Sequence, residues 1–495
     1  MSKRWSLTLA AAAMLAAVPL TAAPVPVRLS ADGELQISDA ADRAARTAEL
    51  HRSLVARESA KGLAQALEVK LTPEEIAAAE PREEDGRLRV GVEKAIGTVV
   101  KLTPSARFGA VASEDGMLTW SGRITSPGAT AIRLHFSPFD LPESAELYVY
   151  SEEGQAFGPY TGRGPIDDGE LWANTIAGEE VRLQLRVPPE DASHTRLTIA
   201  GLGYMGSAAP QASSNLCSSN ASCVVNAACQ SSTAVNGAKD AVASILFLSG
   251  SSYYICSGGL IADSDAASVV PYFLTANHCI STSNEASSVE TYFDYQTTCS
   301  NPDCTQPYNN TGETVGSQIV AANGTGDYTL LRLSSAPTTP DGVAFYLGWS
   351  ATAVANSNGV HLYRISHPKG APQAYSAHDV DTSKPTCRTW PRGSWIYSRD
   401  VVGATEGGSS GSPVVNGSGQ IVGQLSGGCG YNVNDVCDTA SNATVDGAFA
   451  SYYGQVSAYL AGGGSQCSAG GASCSADSQC CSSNCKGKPG ARTCK

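Results

Sequence analysis

The stretch TEGGSSGSPVV, residues 405–415, places Gly407, Gly408, Ser409, Ser410 and Gly411 in one run, then passes through Pro413 into the apolar pair Val414–Val415. Glycine reaches backbone conformations that other residues adopt only with strain, and a cluster of small residues marks a turn. Two readings fit the run. One is a flexible surface loop ahead of a buried strand. The other is a fixed sharp turn that aims one hydroxyl and several N–H groups at a single point.

Two upstream stretches bear on the choice. ICSGGLI (255–261) is followed by FLTANHCI (273–280), an apolar strand that delivers His278 with Cys279 beside it. GDYTLLRL (326–333) sets Asp327 at the mouth of an alternating, half-buried strand. Alone, a histidine beside a strand is more often structural, and an aspartate before one is more often a turn residue. Together with Ser410 they form a set with a chemical purpose. A serine hydroxyl is a poor nucleophile until a neutral imidazole takes its proton, and a carboxylate must hold that imidazole in the right tautomer.

The chain order His278, Asp327, Ser410, with spacings of 49 and 83 residues, resembles that of chymotrypsin-like serine proteases. TANHC and GSSGSP stand where that family has its histidine and serine motifs. FLTANHC, DYTLLRL, TEGGSSGSP, GQLSGG (423–428) and the upstream LPESAELYVY (141–150) are similar to bacterial lysyl endopeptidases. The resemblance covers roughly residues 100–460. It implies a mainly β fold whose catalytic part is a double β-barrel. It also implies a Cys256–Cys279 disulfide, an oxyanion hole from the N–H groups of Gly408 and Ser410, and an acyl-enzyme mechanism. One oxyanion donor is worth roughly 2.7–4 kcal/mol in the transition state. Substrate would lie as an extended strand beside Leu425, Ser426, Gly427 and Gly428. Two positions depart from the pattern. Ser426 stands where the family has histidine, and Thr444 stands at the simplest match to its lysine-reading aspartate, with Asp438 and Asp446 nearby but off register.

Composition gives the setting. Lys3 and Arg4 precede an apolar run from Leu7 to Leu20 and small residues at 21–23, so residues 1–23 read as a secretory signal peptide. No later stretch approaches the ~18 apolar residues of a membrane helix. All sixteen cysteines lie at or beyond Cys217, an even number that fits disulfides in an exported chain. Net charge is −13, which argues against nucleic acid as a partner. No metal-site spacing or cofactor motif is present, so neither metal nor cofactor is expected.

The 495 residues divide accordingly. Residues 24–90 are expected to be a helical part of a pro-region, with Leu50/Leu54 and Leu63/Leu67 at helical spacing and the acidic run 80–85 as a solvated break. Residues 91–205 read as a β-sandwich from the alternation of AIRLHF (131–136), AELYVY (145–150) and VRLQLRV (181–187), a folding module more than a sugar-binding one. The linker 206–216 is the expected maturation site, 217–461 the protease domain, and 462–466 a second linker. The tail 467–495 is too short to fold without staples. Its cysteine order resembles a knottin, and that resemblance implies pairs Cys467–Cys481, Cys474–Cys485 and Cys480–Cys494.

The expectation is therefore a secreted, monomeric serine endopeptidase acting on proteins or peptides, with its own pro-region as folding aid or inhibitor. A triad esterase, or a non-catalytic secreted binding protein on a protease scaffold, are the alternatives. Lys or Arg at P1 is expected from the resemblance. Yet no Lys or Arg occurs between Arg196 and Lys239. A strictly basic-specific enzyme would then need another protease to cut its linker, or its P1 preference is not basic.

Overall fold

The alternating segments are strands in the computed structural model, which describes residues 28–29, 40–59, 66–103, 108–206, 216–265, 270–305, 312–337, 345–387, 389–461, 485–486 and 493–494. Ala131–Asp140 and Arg196–Met205 belong to one sheet; Met117–Thr125, Glu146–Tyr150 and Glu180–Val187 belong to a second. Their alternate apolar side chains meet face to face. Ile132, Leu134 and Phe136 share one buried core with Leu147, Val149, Leu183 and Leu185, as in a sandwich.

The region before the sandwich holds two helices and differs from the helical expectation at Leu67 and at the acidic run. Ala40–Ser59 is a helix whose Leu54 packs with Tyr148 and Tyr150. Pro73–Ala79 is a second, started by a capping box between Thr72 and Glu75. Leu67 is not helical: Leu67–Glu68 runs parallel beside Ile124 and Thr125. The acidic run is not a solvated break either. Arg82–Glu84 and Arg87–Val99 are antiparallel strands joined by Asp85 and Gly86, at φ 50° and 80°. An Asp-Gly pair accepts two successive positive φ angles, so it closes a two-residue hairpin despite the flanking charge.

Arg87–Val99 links the two halves of the molecule. One edge pairs with Arg196–Met205, and residues 88–92 pair on the other edge with Ser252–Leu260. The sandwich sheet therefore continues into a first barrel built from Val242–Ser249, Ser252–Leu260, Tyr272–Ala276, Glu290–Tyr292, Ser317–Asn323 and Tyr328–Leu333. The two halves also share a fully buried ion pair, Arg133 with Glu290 at 3.5 Å. In the second barrel His361–Ser366, Ala374–Val380, Trp395–Val402, Asn442–Ala448, Ile421–Gly430 and Pro413–Val415 pair in that order. The last returns to the first, so the ring closes. The architecture is a chymotrypsin-like double β-barrel. The helix Phe449–Leu460 buries Phe449, Tyr452, Val456 and Leu460 in the first barrel's core.

Disulfides join Cys217–Cys304, Cys223–Cys437, Cys229–Cys299, Cys256–Cys279 and Cys387–Cys429. Of the tail, only Cys485–Lys486 and Thr493–Cys494 are described, as an antiparallel ribbon. The knottin-type pairs, the signal peptide and most of both linkers lie outside the described residues. No helix among the described residues is long and apolar enough to cross a membrane.

Candidate active site

Strand pairing brings the separated motifs together. Tyr272–Ala276 and Tyr328–Leu333 are antiparallel neighbours with Ala276 opposite Tyr328, so the residues just beyond them, His278 and Asp327, meet at one end of the first barrel. Asp327 accepts two hydrogen bonds of 2.8 Å, one from the His278 backbone N–H and one from ring Nδ1. Its own backbone is fixed at φ 48°, with its carbonyl accepting from Asn277 N–H and from Gln424 Nε2 at 2.9 Å. This arrangement gives the imidazole the Nδ1–H tautomer and leaves Nε2 to face the cleft. Among the described residues that Nε2 has no hydrogen-bond partner.

The turn at 405–413 is fixed, and the serines in it have different surroundings. Ser409 Oγ lies buried against Ser366 Oγ and the Glu406 N–H. Ser412 Oγ is buried under the Arg364 guanidinium. Ser410 is the one whose hydroxyl lines the cleft. Gly408 sits at φ 95°, and a Cβ there would meet the His367 carbonyl at 2.9 Å. A side chain at 408 is therefore excluded by the backbone behind the turn. His367, behind the turn, is wholly buried, and burial pushes its imidazole down to about 4 despite its hydrogen bond to the Ala371 carbonyl.

The cleft also holds the tip of the 82–89 hairpin. Ser410 Oγ–H donates to the Gly86 carbonyl at 2.8 Å, and the Gly408 N–H donates to the same oxygen at 3.3 Å. A Cβ at Gly86 would lie 3.0 Å from Ser410 Oγ and 3.1 Å from His278 Nε2. Gly86 is thus wedged between hydroxyl and ring. The Asp-Gly pair between charged residues is the sequence signal that could have found this hairpin.

Leu425, Ser426, Gly427 and Gly428 line one wall of the cleft, and Thr444 lies opposite Gly428 on the adjacent strand. Thr444 donates through Oγ1 to Asp400 at 2.6 Å, a cleft residue that the motif reading passed over. Asp446 is not available to a ligand: it is buried in an ion pair with Arg364 at 2.5 Å. Asp438 is taken up in its own loop, where hydrogen bonds from Asn432 and Ser441 draw its carboxyl down to about 2. Among the described residues, no group of three His, Cys, Asp or Glu side chains could hold a metal ion.

Comparison with known proteins places the chain in a family. Residues 217–445 match the family model of the lysyl endopeptidase C-terminal domain. A lysyl endopeptidase of Pseudomonas aeruginosa is 30% identical over 364 residues, spanning 70% of this chain and 76% of that protein. A secreted RxLR effector protein 73 of Plasmopara viticola is 26% identical over 324 residues, spanning 62% and 77%. Among solved structures, the Rv3671c protease of M. tuberculosis in its active form aligns at a TM-score of 0.30 and 17% identity, covering 50% of this chain and 88% of that one. The chain belongs to the lysyl endopeptidase family and is a serine endopeptidase.

Proposed function

We propose that the chain is the precursor of a secreted serine endopeptidase that works through His278, Asp327 and Ser410. The carrying observation is His278, held to Asp327 by 2.8 Å contacts from its backbone N–H and its ring Nδ1, with its free Nε2 and the Ser410 hydroxyl both bordering Gly86. Once the hairpin leaves, Ser410 Oγ attacks the scissile carbonyl carbon while Nε2 accepts its proton. The carbonyl oxygen becomes an oxyanion between the Gly408 and Ser410 N–H groups. The Gly408 N–H already holds a carbonyl oxygen, that of Gly86. Collapse of the tetrahedral species passes the proton from Nε2 to the leaving amine, and water then hydrolyses the acyl-enzyme by the same steps. Asp327 stays ionised throughout and stabilises the imidazolium.

The region before the linker acts as both folding aid and inhibitor. The Arg87–Val99 strand supplies an edge to the first barrel. The Gly86 carbonyl draws the Ser410 hydroxyl away from His278. Export is supported by the five disulfides and the signal-like N-terminus, and a Lys or Arg P1 preference by the family. The knottin-like tail is an accessory module.

Turnover of a peptide series tests the mechanism. Ser410→Ala is expected to remove nearly all activity, on the order of 10⁶-fold. Asp327→Asn is expected to fold and lose about 10⁴-fold in kcat by stranding the wrong tautomer. Full activity in either variant refutes the assignment. Loss of ester hydrolysis alone, with peptide cleavage intact, refutes it equally.

A further inference from the structure

Five carboxylates border the cleft among the described residues: Glu83, Asp85, Asp327, Asp400 and Glu406. Four are committed. Glu83 and Asp85 belong to the hairpin and depart with it. Asp327 holds His278. Glu406 has both oxygens engaged: Oε1 by the Ala221 N–H and the Lys369 ammonium, and Oε2 by Asn220 Nδ2. Asp400 differs. Its Oδ1 accepts from Thr444 Oγ1 at 2.6 Å and from His378 Nδ1 at 2.7 Å, and its Oδ2 has no hydrogen-bond partner among the described residues.

We infer that Asp400, on the strand Trp395–Val402, is the carboxylate that binds a cationic P1 side chain, Lys or Arg, in place of the acid absent at Thr444. The inference rests on the endopeptidase reading above. Strand register supports it. Gly428, Thr444 and Ser398 are opposite one another on three successive strands, and Asp400 follows two residues along the face of Ser398. A side chain passing the glycines 427 and 428 thus runs toward the hydrogen-bonded Thr444–Asp400 pair. Space is open there: a Cβ at Gly428 would find its nearest neighbour only at 3.9 Å.

The support behind Asp400 is built and buried. His378 is its direct cross-strand partner and is wholly buried. Ser376, two residues back on the same face, sits 2.9 Å from His378 Nε2. The hydroxyl donating to Nε2 and Nδ1–H donating to Asp400 is a pattern complete with a neutral ring. Ser376, His378 and Asp400 therefore look like a second triad, but Ser376 and His378 are closed to solvent, so this trio offers no accessible nucleophile. What remains is a brace: it holds one carboxylate oxygen and presents the other. Fixing a carboxylate in advance lowers the ordering cost of binding a cation.

The test compares kcat/KM on peptides identical except for Lys, Arg or Met at P1, using enzyme prepared from the full chain and titrated with a fluorophosphonate. Wild type is expected to favour Lys and Arg over Met by about a hundredfold or more. Asp400→Asn is expected to reduce that ratio by about a hundredfold, and Asp400→Glu, which keeps the charge, to retain most of it. Thr444→Val removes one brace without uncharging the site and is expected to lower the ratio about tenfold. It also keeps the test open if Asp400→Asn does not fold. A wild-type enzyme that labels and cleaves without basic preference overturns the assignment, as does an unchanged ratio in Asp400→Asn or Thr444→Val. An enzyme that neither labels nor cleaves any of the peptides overturns the endopeptidase reading itself, and this inference with it.

Discussion

Arg133→Met should destabilise the precursor without touching the cleft. Arg133 and Glu290 are both 0% exposed. Arg133 also donates to the Ser288 carbonyl at 2.7 Å and the Ala173 carbonyl at 2.9 Å. Its removal leaves Glu290 a buried charge with only neutral donors, at Asn174 Nδ2, the Thr175 N–H and Thr175 Oγ1. Breaking a buried pair from one side costs about 3–5 kcal/mol. The surviving donors to Glu290 keep its oxygens satisfied, so the lower end, about 3 kcal/mol, applies. Against a typical total of about 5–15 kcal/mol, that is a large loss. Denaturant unfolding of the precursor, in a Ser410→Ala background to prevent self-cleavage, should shift by that amount. The double variant Arg133→Met/Glu290→Gln should regain most of it, because the uncompensated charge is gone. The matured enzyme should show no change, since residue 133 lies before the linker. A single-variant loss under about 1 kcal/mol, or a double variant no better than the single, would refute the reasoning.

Gly86→Val places a β-branched residue at φ 80° and crowds both Ser410 and His278. It should free the site in the uncut precursor and raise fluorophosphonate labelling about tenfold or more; unchanged labelling argues against hairpin inhibition. Glu285 is subject to burial, which opposes its charge, but hydrogen bonds from Ser249 and Ser281 outweigh this and hold its carboxyl below 4.5. Its contribution to stability is therefore full above 4.5 and lost as pH falls through the lowered folded value. Glu285→Gln should weaken that acid-side loss, as measured by thermal melts across pH; identical pH profiles contradict the assignment. Truncation after Gly464 should leave cleavage of small peptides intact, and collapse of turnover in that protein would make the tail part of the catalytic unit.

The proposed triad residues stand out in the sequence because each sits in a short motif whose neighbours suggest its chemistry: TANHC, GDY and GGSSGSP. The sandwich strands were legible because alternation reports a half-buried sheet. Arg133 shows where that logic stops. It occupies a polar position in AIRLHF, which reads as solvent-facing, yet that face packs on the first barrel and the charge finds Glu290 across 157 residues of sequence. Asp400 was hidden for a related reason. Its partners His378 and Thr444 are strand neighbours, 22 and 44 residues away, and nothing in SRDVV marks it. The Asp85-Gly86 turn carries a local signal, but the acidic residues around it, Glu80 to Asp85, read equally as a solvated break.

The central claim is that Ser410 is the nucleophile activated by His278. A fluorophosphonate adduct on the matured enzyme, located by peptide mass spectrometry, tests it most directly. The account predicts a single stoichiometric adduct on Ser410 that His278→Ala abolishes. An adduct on Ser409 or Ser412, or undiminished labelling without His278, would contradict it.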